Sequence, residues 1–403
     1  MREGDGGATP AEREPCRRTG GTIEASDAGG RKEGGGAPSK GFFAGDVPRG
    51  VAPASPRVQT RSYAASGVDR SKIATALAEL LRGARYRAPA SHGRPVHAPG
   101  HYAGIVRFGR ETLALTTDTV GTKVLLAEQL GRWEEVGEDT VAINVNDLAA
   151  VGARPVGFVD TILCARPDPA IFRALGRGIA RGLEAAGCSL LGGETAIVAE
   201  IVHGIDLGGT AMGAFPGRRD PVLGDRIGPG DRIIGIPSTG VHANGFTLVR
   251  RMLTEGAVDL ERPRPGARLR IGRELLRPTR TYSELADELA DLREVHGFAH
   301  ITGGGVRNFT RLQRKVRFVL DAWPTAPPLF GWLQELGGIS DREMFETFNM
   351  GIGFAVVVDG DRVDSVRQRL KRAGAPDSRL VGRVEEGRGV VVPRLELRYA
   401  GYA

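Results

Sequence analysis

The sequence predicts an α+β fold with two domains, each a mixed β-sheet with helices packed on it. Three observations support this prediction. The chain of 403 residues is long enough for about two hydrophobic cores. Strand-like and helix-like segments are interspersed along the chain. The segment 216–221 combines proline, glycine and charge, as a linker does. We therefore expect an N-terminal domain at 62–220 and a C-terminal domain at 221–398.

Residues 1–61 differ in composition from the rest of the chain. They hold 13 glycines and 6 prolines, a share typical of low-complexity sequence. Arg17 and Arg18 are not followed by an apolar stretch, which argues against a twin-arginine signal. We expect these residues to form a disordered extension.

The overall composition argues against two classes of function. No apolar run approaches the roughly 20 residues that span a bilayer. The net charge of +7 is spread along the chain without a basic run that contains aromatic residues. We therefore expect neither membrane insertion nor nucleic-acid binding. Cys16, Cys164 and Cys188 lack metal-ligand spacing and predict reduced thiols in a cytoplasmic protein.

The N-terminal domain is predicted to begin with a β-hairpin at 105–117. Apolar periodicity then predicts helices at 122–131, 136–151 and 169–186, and strands at 155–164, 188–191 and 205–215. The strand at 188–191 is expected to be short and buried.

A second alternation of elements follows the linker. Strands are predicted at 231–237, 295–301, 316–321, 350–358, 379–383 and 388–392. Helices are predicted at 244–255, 280–291, 305–313 and 360–373.

A first polar cluster lies where the predicted hairpin meets a helix. Gly121 lets the backbone turn, and the free N–H groups of a helix start suit phosphate oxygens. We expect Asp118 to hold a divalent cation, with Thr122 and Lys123 close to phosphate. The spacing is not that of a Walker A loop, so a plain strand–turn–helix is the alternative.

A second cluster lies inside the apolar helix predicted at 136–151. Asn144 and Asp147 are three residues apart and share one helix face. Because burying an unpaired carboxylate is costly, Asp147 should have a cation, a ligand or a hydrogen-bond partner. A salt bridge or a cap on the next turn is the structural alternative.

The third cluster is Gly192, Gly193, Glu194 and Thr195. The two glycines permit a close approach of the backbone to a ligand and place Glu194 at the end of a strand, where α/β sites form. A β-bulge or turn is the alternative. Together Asp118, Asp147 and Glu194 would supply three oxygen ligands for Mg²⁺.

The fourth group comprises two loops of the C-terminal domain. His242 stands in a loop with Ser238, Gly240 and Asn244, although Asn244 also suits a helix N-cap and a lone histidine often only braces a loop. Three glycines at 303–305 follow Thr302 and predict a phosphate-binding nest, with a flexible connector as the alternative.

With these clusters, the chain resembles the phosphoribosylformylglycinamidine cyclo-ligases, the aminoimidazole ribonucleotide synthetases of purine biosynthesis. The resemblance covers roughly residues 62–395. It also includes Ser62-Tyr63, Pro278 to Tyr282 and Thr347 to Gly351. A weaker resemblance, through the first three clusters, links the chain to selenophosphate synthetase and thiamine-monophosphate kinase.

The resemblance implies ATP-dependent closure of formylglycinamidine ribonucleotide to aminoimidazole ribonucleotide, with release of ADP and phosphate. It also implies Mg²⁺ and a homodimer joined through the N-terminal domain. Residues expected to bind ATP and phosphate are Asp118, Gly121, Thr122, Lys123, Asn146, Asp147, Gly192, Gly193, Glu194 and Thr195. Residues expected to bind the ribonucleotide are Ser238, Gly240, His242, Asn244, Thr302, Gly303, Gly304 and Gly305. Lys123 and His242 are the expected catalytic residues.

The chain departs from the family pattern at three places. Thr119 replaces the usual glycine, and the segments 97–104 and 197–200 differ from the usual sequence. The alternatives are another ATP-using enzyme of the superfamily and a non-catalytic nucleotide-binding homologue. No cysteine lies between residues 17 and 163, which argues against selenophosphate synthetase. All three candidate metal carboxylates are retained, which argues against the non-catalytic homologue.

Overall fold

The computed structural model describes residues 70–402, except 85, 87, 98, 218, 313 and 314. The extension predicted at 1–61 lies outside the described residues, so it stays a prediction. Within the described part, none of the helices is both long enough and apolar enough to cross a membrane.

The N-terminal half contains a six-stranded sheet in the order β1-β2-β3-β6-β4-β5. Its strands are β1 (Arg94–Pro95), β2 (Gly104–Phe108), β3 (Glu111–Thr119), β4 (Arg154–Cys164), β5 (Ser189–Ile197) and β6 (Ile205–Ala214). β4 and β5 pair in parallel and the other neighbours pair antiparallel, so the sheet is mixed as predicted. The helices are α1 (Arg70–Gly83), α2 (Lys123–Leu130), α3 (Glu134–Ala149) and α4 (Pro169–Ala186).

Helix α4 confirms the bounds that its sequence predicts. It begins after Asp168, whose carboxylate accepts a hydrogen bond from the Ala170 N–H, and Pro169 occupies its first turn. It ends at Gly187, which adopts a left-handed conformation. A side chain at Gly178 would lie 2.0 Å from the Glu134 carbonyl oxygen, so glycine allows α4 to pack closely on α3.

The C-terminal half contains a seven-stranded sheet in the order β13-β12-β9-β11-β7-β10-β8. Its strands are β7 (Arg232–Pro237), β8 (Val295–His300), β9 (Val316–Val319), β10 (Ile352–Val358), β11 (Arg379–Glu386), β12 (Gly389–Val392) and β13 (Leu397–Tyr399). Its helices are α5 (Phe246–Glu255), α6 (Ile271–Leu275), α7 (Ser283–Leu289), α8 (Pro328–Gly337), α9 (Asp341–Thr347) and α10 (Val363–Arg372). The parallel pairing of β9 and β12 makes this sheet mixed as well.

Two helix predictions for the C-terminal half need correction. The segment predicted as a helix at 305–313 is a 3₁₀-helix over Gly305–Arg311, and the helix predicted at 280–291 is the shorter α7. The prediction also left out α6, α8 and α9. Short helices carry little periodic signal, because their stability comes mostly from tertiary packing.

The strand at 188–191 is longer and more exposed than its sequence predicts. β5 extends to Ile197, so the Gly192–Thr195 cluster lies inside the strand instead of after it. Leu190 and Leu191 are 50% and 61% exposed, because β5 is an edge strand that pairs only with β4. A continuous apolar run is ambiguous in sequence: a buried strand and an uncovered edge strand look alike.

The two halves are joined by apolar packing and by ion pairs. Their buried apolar residues form one continuous cluster. Arg154 and Arg219 of the N-terminal half both pair with Asp287 on α7. The predicted domain limits near residue 220 fall between the last strand of the first sheet and the first of the second, and they stay predictions.

Candidate active site

The centre of the candidate site contains two carboxylates of the N-terminal half. Asp118 lies near the end of β3 and Asp147 near the end of α3. The Asp118 side chain has solvent access, yet protein surrounds its carboxylate closely. Desolvation, followed by the charge of Asp147, raises the pKa of Asp118 to about 6. The negative charge of Asp147 therefore acts on Asp118 across the junction of β3 and α3.

Asp147 has the hydrogen-bond partner that its burial demands. His300, the last residue of β8, donates from Nδ1 to Asp147 Oδ1 over 2.8 Å, and both side chains are buried. This bond joins the two halves of the chain beside Asp118. His300 was absent from the predicted site residues, although it lies only two residues before Thr302, where the predicted phosphate loop begins.

Glu194 lies far from the other two predicted metal ligands within one chain. Across the sheet, Glu194 on β5 pairs with Thr161 on β4, and Thr161 pairs with Gly208 on β6. Gly208 in turn pairs with Thr119 on β3. Three strand spacings therefore separate Glu194 from β3, about 14 Å. Among the described residues, no group of three His, Cys, Asp or Glu side chains is arranged to hold a metal ion.

The remaining pair still fits the predicted ion. Mg²⁺ in phosphoryl-transfer sites commonly takes one or two carboxylates and completes its shell with water and phosphate oxygens. Asp118 and Asp147 supply such a pair at the junction of the two halves. Within one chain, Asp118 and Asp147 are thus the candidate pair, and metal binding by them and by Glu194 stays a prediction.

The two glycines before Glu194 have different structural reasons. A side chain at Gly193 would lie 2.2 Å from the Asp160 carboxylate on β4, so Asp160 would have to move to admit one. Gly192 has a φ of 153°, which L-residues rarely adopt. Thr195 is exposed on the same strand. Ligand binding by this cluster stays a prediction.

Lys123 is completely buried in the structure. Its ammonium lies 2.6 Å from Asp139 Oδ2, also fully buried, and donates to the Arg277 carbonyl oxygen over 2.9 Å. The ring of Phe246 lies 5.4 Å from the same ammonium. To contact phosphate, the predicted role, Lys123 would have to leave these partners.

Two further polar side chains of α3 bind the C-terminal half. Asp139 Oδ1 accepts hydrogen bonds from the Thr279 N–H and hydroxyl at 2.8 and 2.6 Å. Asn146 donates to the Arg280 carbonyl oxygen over 2.8 Å and accepts from the Tyr282 N–H over 2.7 Å. We call Asp139, Asn146 and Asp147 the α3 clasp. The amide of Asn146 is thus bonded to backbone at both ends, while its predicted contact with phosphate stays untested.

The turn from β3 into α2 has the geometry that its glycine predicts. Gly121 adopts a left-handed conformation with a φ of 66°. Thr122, the residue before α2, hydrogen-bonds through its hydroxyl to the Thr247 hydroxyl on α5 over 3.0 Å. The turn is therefore fixed by the first helix of the C-terminal half.

His242 is buried and has strained backbone geometry. Its φ is 65°, a conformation that costs a residue other than glycine about 1–2 kcal/mol. Its Nε2 accepts from the Thr239 N–H over 3.3 Å, and its buried Nδ1 has no hydrogen-bond partner within the part of the chain that the structure describes. Desolvation first, then the charges of His300 and Lys123, lower the pKa of His242 well below 6.5. Its imidazole is therefore neutral at pH 7.

The two predicted substrate loops meet in the structure. Asn244 donates from its amide to the Thr302 hydroxyl over 2.8 Å. Ser238 and Gly240 are both bonded to Asn349, through hydrogen bonds of 3.0 and 2.8 Å. The N-cap position of α5 is Gly245, so Asn244 is not the cap.

The three glycines at 303–305 are required by close packing. A side chain at Gly305 would lie 1.9 Å from the Phe345 carbonyl oxygen, and one at Gly304 would lie 2.8 Å from the Tyr402 ring. At Gly303 it would lie 2.9 Å from the Asn244 side chain. Each glycine therefore has a structural reason, and phosphate binding by this loop stays a prediction.

Sequence comparison places these residues in a known family. Residues 100–215 match the family model "AIR synthase related protein, N-terminal domain". Residues 228–393 match the model "AIR synthase related protein, C-terminal domain". The phosphoribosylformylglycinamidine cyclo-ligase of Methanosarcina barkeri is 41% identical over 329 residues, which cover 81% of this chain and 95% of that protein. The chain belongs to the AIR synthase family. The cyclo-ligase of Thermococcus gammatolerans is also 41% identical, over 74% of this chain and 88% of its own length.

Solved structures agree on the fold. The thiamine-monophosphate kinase of Stenotrophomonas maltophilia superposes with a TM-score of 0.56 at 22% identity, covering 80% of this chain and 97% of that one. At this identity the similarity concerns the fold alone. The arrangement of two mixed sheets with packed helices that the sequence predicts is therefore shared with this structure.

Proposed function

We propose that the chain catalyses the ATP-dependent ring closure of formylglycinamidine ribonucleotide to 5-aminoimidazole ribonucleotide, with release of ADP and phosphate. The observation that carries this proposal is family membership at about 40% identity over 95% of a curated cyclo-ligase. The site geometry supports it, because the candidate acid residues and both candidate substrate loops lie at the junction of the two halves.

The reaction requires activation of a poor leaving group. The formyl oxygen attacks the γ-phosphorus of ATP, the bond to ADP breaks, and loss of the formamide N–H proton leaves an imidoyl phosphate. The amidine nitrogen then attacks the activated carbon and loses a proton, and phosphate leaves with the former formyl oxygen. Catalysis of phosphoryl transfer depends mainly on positioning and on neutralising charge.

Asp118 and Asp147 are the residues we assign to Mg²⁺. A bound Mg²⁺ would neutralise the charge of the transferring phosphoryl group. His300 keeps the Asp147 carboxylate in place through the 2.8 Å bond to Oδ1. The Asp118 carboxylate is held by the Thr119 N–H, which donates to Oδ1 over 2.8 Å.

His242 is the residue we assign to the reacting amide. Its lowered pKa makes the imidazole a weak base at neutral pH, so a hydrogen bond to the reacting group suits it better than proton removal. Its buried Nδ1, without a partner in the described residues, is available for such a bond. A strained conformation at a buried polar residue is common in functional sites.

We assign the ribonucleotide to the two joined loops, 238–245 and 302–305. The Asn244–Thr302 bond fixes their separation. Lys123 enters the proposal as a positioning residue, because its ion pair with Asp139 supports the Thr279 backbone and its charge acts on His242. Direct contact of Lys123 with phosphate would need that pair to open.

The chain is proposed to act as a homodimer. Large apolar side chains are exposed on the strands of the first sheet, namely Leu115, Val156, Leu190, Leu191 and Ile197. Large exposed apolar side chains on a sheet are typical of an interface between subunits. Glu194 lies on the same exposed edge strand and cannot reach Asp118 within its own chain. We therefore assign Glu194 to the metal site of the second subunit.

The described cysteines fit the expected cytoplasmic location. Cys164 and Cys188 are both free thiols, as a reducing compartment maintains them.

One assay tests the proposed function against its relatives in the superfamily. ADP release by the purified chain is measured with formylglycinamidine ribonucleotide, with thiamine monophosphate and with selenide as separate substrates. The proposal expects ADP release with the amidine ribonucleotide only. Release with thiamine monophosphate or selenide instead would reassign the chain to another activity of the superfamily.

A further inference from the structure

Arg311, at the end of the 3₁₀-helix, is held between two tyrosines. Its guanidinium carbon lies 4.2 Å from the centre of the Tyr102 ring and 5.0 Å from that of the Tyr402 ring. Its Nη2 donates to the His101 carbonyl oxygen over 2.9 Å, while its buried Nε has no hydrogen-bond partner among residues 70–402 as far as they are described. No carboxylate of the described residues forms an ion pair with it. Arg311 is therefore a fixed cation with donors left over.

Both tyrosines connect this cation to the predicted phosphate loop. The Tyr402 hydroxyl donates to the Gly303 carbonyl oxygen over 2.9 Å, and its ring packs against Gly304. The Tyr102 hydroxyl lies 3.3 Å from the His300 carbonyl oxygen and 3.2 Å from that of Asn308. The aromatic contacts fix the guanidinium beside the loop 302–305.

The same cation lies within electrostatic reach of the metal-site carboxylate. The charge of Arg311 acts on Asp118, opposing in part the desolvation that raises the pKa of that carboxyl group. It also acts on His101 of the N-terminal half. Arg311 thus lies between the proposed metal site and the glycine loop, where an anionic ligand of the proposed function would lie.

We infer that Arg311 binds a phosphate group of the ligand that lies against the Gly303–Gly304 loop, and that Tyr402 is a positioning residue for Arg311. This inference rests on the proposed function. Arg311 would supply the positive charge that the loops 238–245 and 302–305 themselves lack. The planar guanidinium suits phosphate oxygens through two parallel hydrogen bonds. Stacking on two rings limits its rotamers before the ligand arrives, which reduces the entropy lost on binding.

A matched pair of variants tests the role of Arg311. Arg342 is the control, because its guanidinium also stacks on a tyrosine, 5.2 Å from the Tyr399 ring, and it also donates to a backbone carbonyl oxygen, that of Arg398. Unlike Arg311, it has a carboxylate partner, Glu346, at 3.6 Å. Arg311→Met and Arg342→Met therefore remove similar packing, but only the first removes an arginine without a carboxylate partner.

Steady-state kinetics give the first readout. Arg311→Met should raise KM for one phosphate-bearing substrate by roughly 10- to 100-fold, the range for loss of a hydrogen bond to a charged group, with a smaller change in kcat. A rise in KM for the amidine ribonucleotide assigns Arg311 to the ribose phosphate, and a rise in KM for ATP assigns it to the nucleotide. Unchanged KM values for both, or equal changes in Arg342→Met, would overturn the inference.

Calorimetry gives a readout that does not depend on the proposed reaction. Ribose 5-phosphate and ADP are each titrated into the wild-type chain and into both variants. At least one probe should bind both the wild type and Arg342→Met. The affinity of Arg311→Met for the same probe should be lower by roughly 10-fold or more. Absence of binding to the wild type, or equal binding to Arg311→Met, contradicts the inference even if ring closure is observed. Binding without ring closure would instead contradict only the proposed function.

Two variants of Tyr402 separate its ring from its hydroxyl. Tyr402→Phe keeps the stacked ring and loses the bond to Gly303, whereas Tyr402→Ala loses both. If Tyr402 positions Arg311, Tyr402→Ala should raise the same KM as Arg311→Met by several-fold, with Tyr402→Phe between it and the wild type. A Tyr402→Ala protein with unchanged KM values would show that Tyr402 does not position Arg311.

Discussion

His242 combines burial, a strained backbone and an unpartnered ring nitrogen in one residue. The sequence singled it out only as a histidine in a glycine-bracketed loop. Its burial and the left-handed backbone were not predictable, because both depend on residues distant in sequence, such as Tyr282, whose ring centre lies 6.2 Å from the imidazole. A local pattern gave the position of the residue, and tertiary packing set its protonation state.

Two substitutions of His242 separate its side chain from its backbone strain. His242→Ala removes the ring and keeps the strain, whereas His242→Gly removes both, since glycine adopts a φ of 65° at little cost. We expect both variants to lose turnover on the amidine ribonucleotide by at least about 100-fold, the lower range for a catalytic hydrogen bond. ATP binding, measured by calorimetry, should be retained in both.

The glycine variant decides between the two roles of His242. If turnover recovers in His242→Gly while His242→Ala stays inactive, the ring has only a structural role. Denaturation in urea serves as the control for folding of both variants.

His101 makes the stability of the fold depend on pH. Burial, followed by the charges of His97 and Arg311, lowers the pKa of His101 to about 4, and the ring of Tyr102 also packs against it. An unfolded histidine has a pKa near 6.5, so the unfolded state binds the proton more readily. The contribution of neutral His101 to the free energy of unfolding is complete above pH 6.5. As the pH falls from 6.5 to about 4, this contribution is lost, by up to about 3 kcal/mol.

Urea denaturation of the wild type and of His101→Phe, measured from pH 4 to pH 8, checks this expectation. Phenylalanine keeps the edge contact with Tyr102 and removes the titration. The difference in the free energy of unfolding between the two proteins should change steadily between pH 6.5 and pH 4 and stay constant above pH 7. A constant difference over the whole range would disprove the role of His101.

At the scale of elements, the α3 clasp shows what a sequence can predict about a buried polar residue. The requirement that Asp147 find a partner follows from its apolar neighbours alone. The partner itself, His300, is 153 residues away in the sequence. A polar side chain reserved for a ligand and one bonded to distant backbone, such as Asn146, look the same in the sequence. Only the packing of α3 against the C-terminal half distinguishes them.

Two ion pairs on α3 provide a matched test of the clasp. The Lys123–Asp139 pair is fully buried, and the Arg181–Glu138 pair is on the surface at 3.3 Å. Asp139→Asn leaves a buried ammonium uncompensated and should lower the free energy of unfolding by about 3–5 kcal/mol. Glu138→Gln should lower it by less than about 1 kcal/mol. Equal losses for the two variants in urea denaturation would contradict the structural role of Lys123.

At the scale of the whole molecule, the two mixed sheets were predictable, because each element leaves a local periodic pattern. The strand orders and the exposure of β5 were not, since they depend on pairing between distant segments. The same limit applies to the predicted metal site. The three carboxylates were recognised from local motifs, but the sheet places Glu194 three strands away from β3.

Mixing of two inactive variants tests the proposed homodimer and the place of Glu194 in it. Asp118→Asn alone should reduce turnover by about 100- to 1000-fold, the usual effect of losing one electrostatic group, and Glu194→Gln should also be inactive. After refolding of an equal mixture, half of the dimers contain one subunit of each variant. If each site takes Asp118 and Glu194 from different subunits, one site of such a dimer carries both substitutions and the other site carries none. Refolding the two variants together should therefore restore about a quarter of the wild-type activity.

The outcome of the mixing experiment separates two arrangements. Recovery of activity requires that Asp118 and Glu194 of one site come from different subunits. If the mixture stays inactive while light scattering shows a dimer, Glu194 does not act across the interface. A monomer at micromolar concentration would contradict the dimer itself.

The reaction we propose for this chain couples ATP cleavage to ring closure. The most direct measurement quantifies ADP, phosphate and 5-aminoimidazole ribonucleotide together in one reaction of the wild-type chain with ATP, Mg²⁺ and formylglycinamidine ribonucleotide. We predict equal molar amounts of the three products, and no aminoimidazole ribonucleotide when ATP is omitted. Release of ADP and phosphate without the aminoimidazole product would contradict the claim.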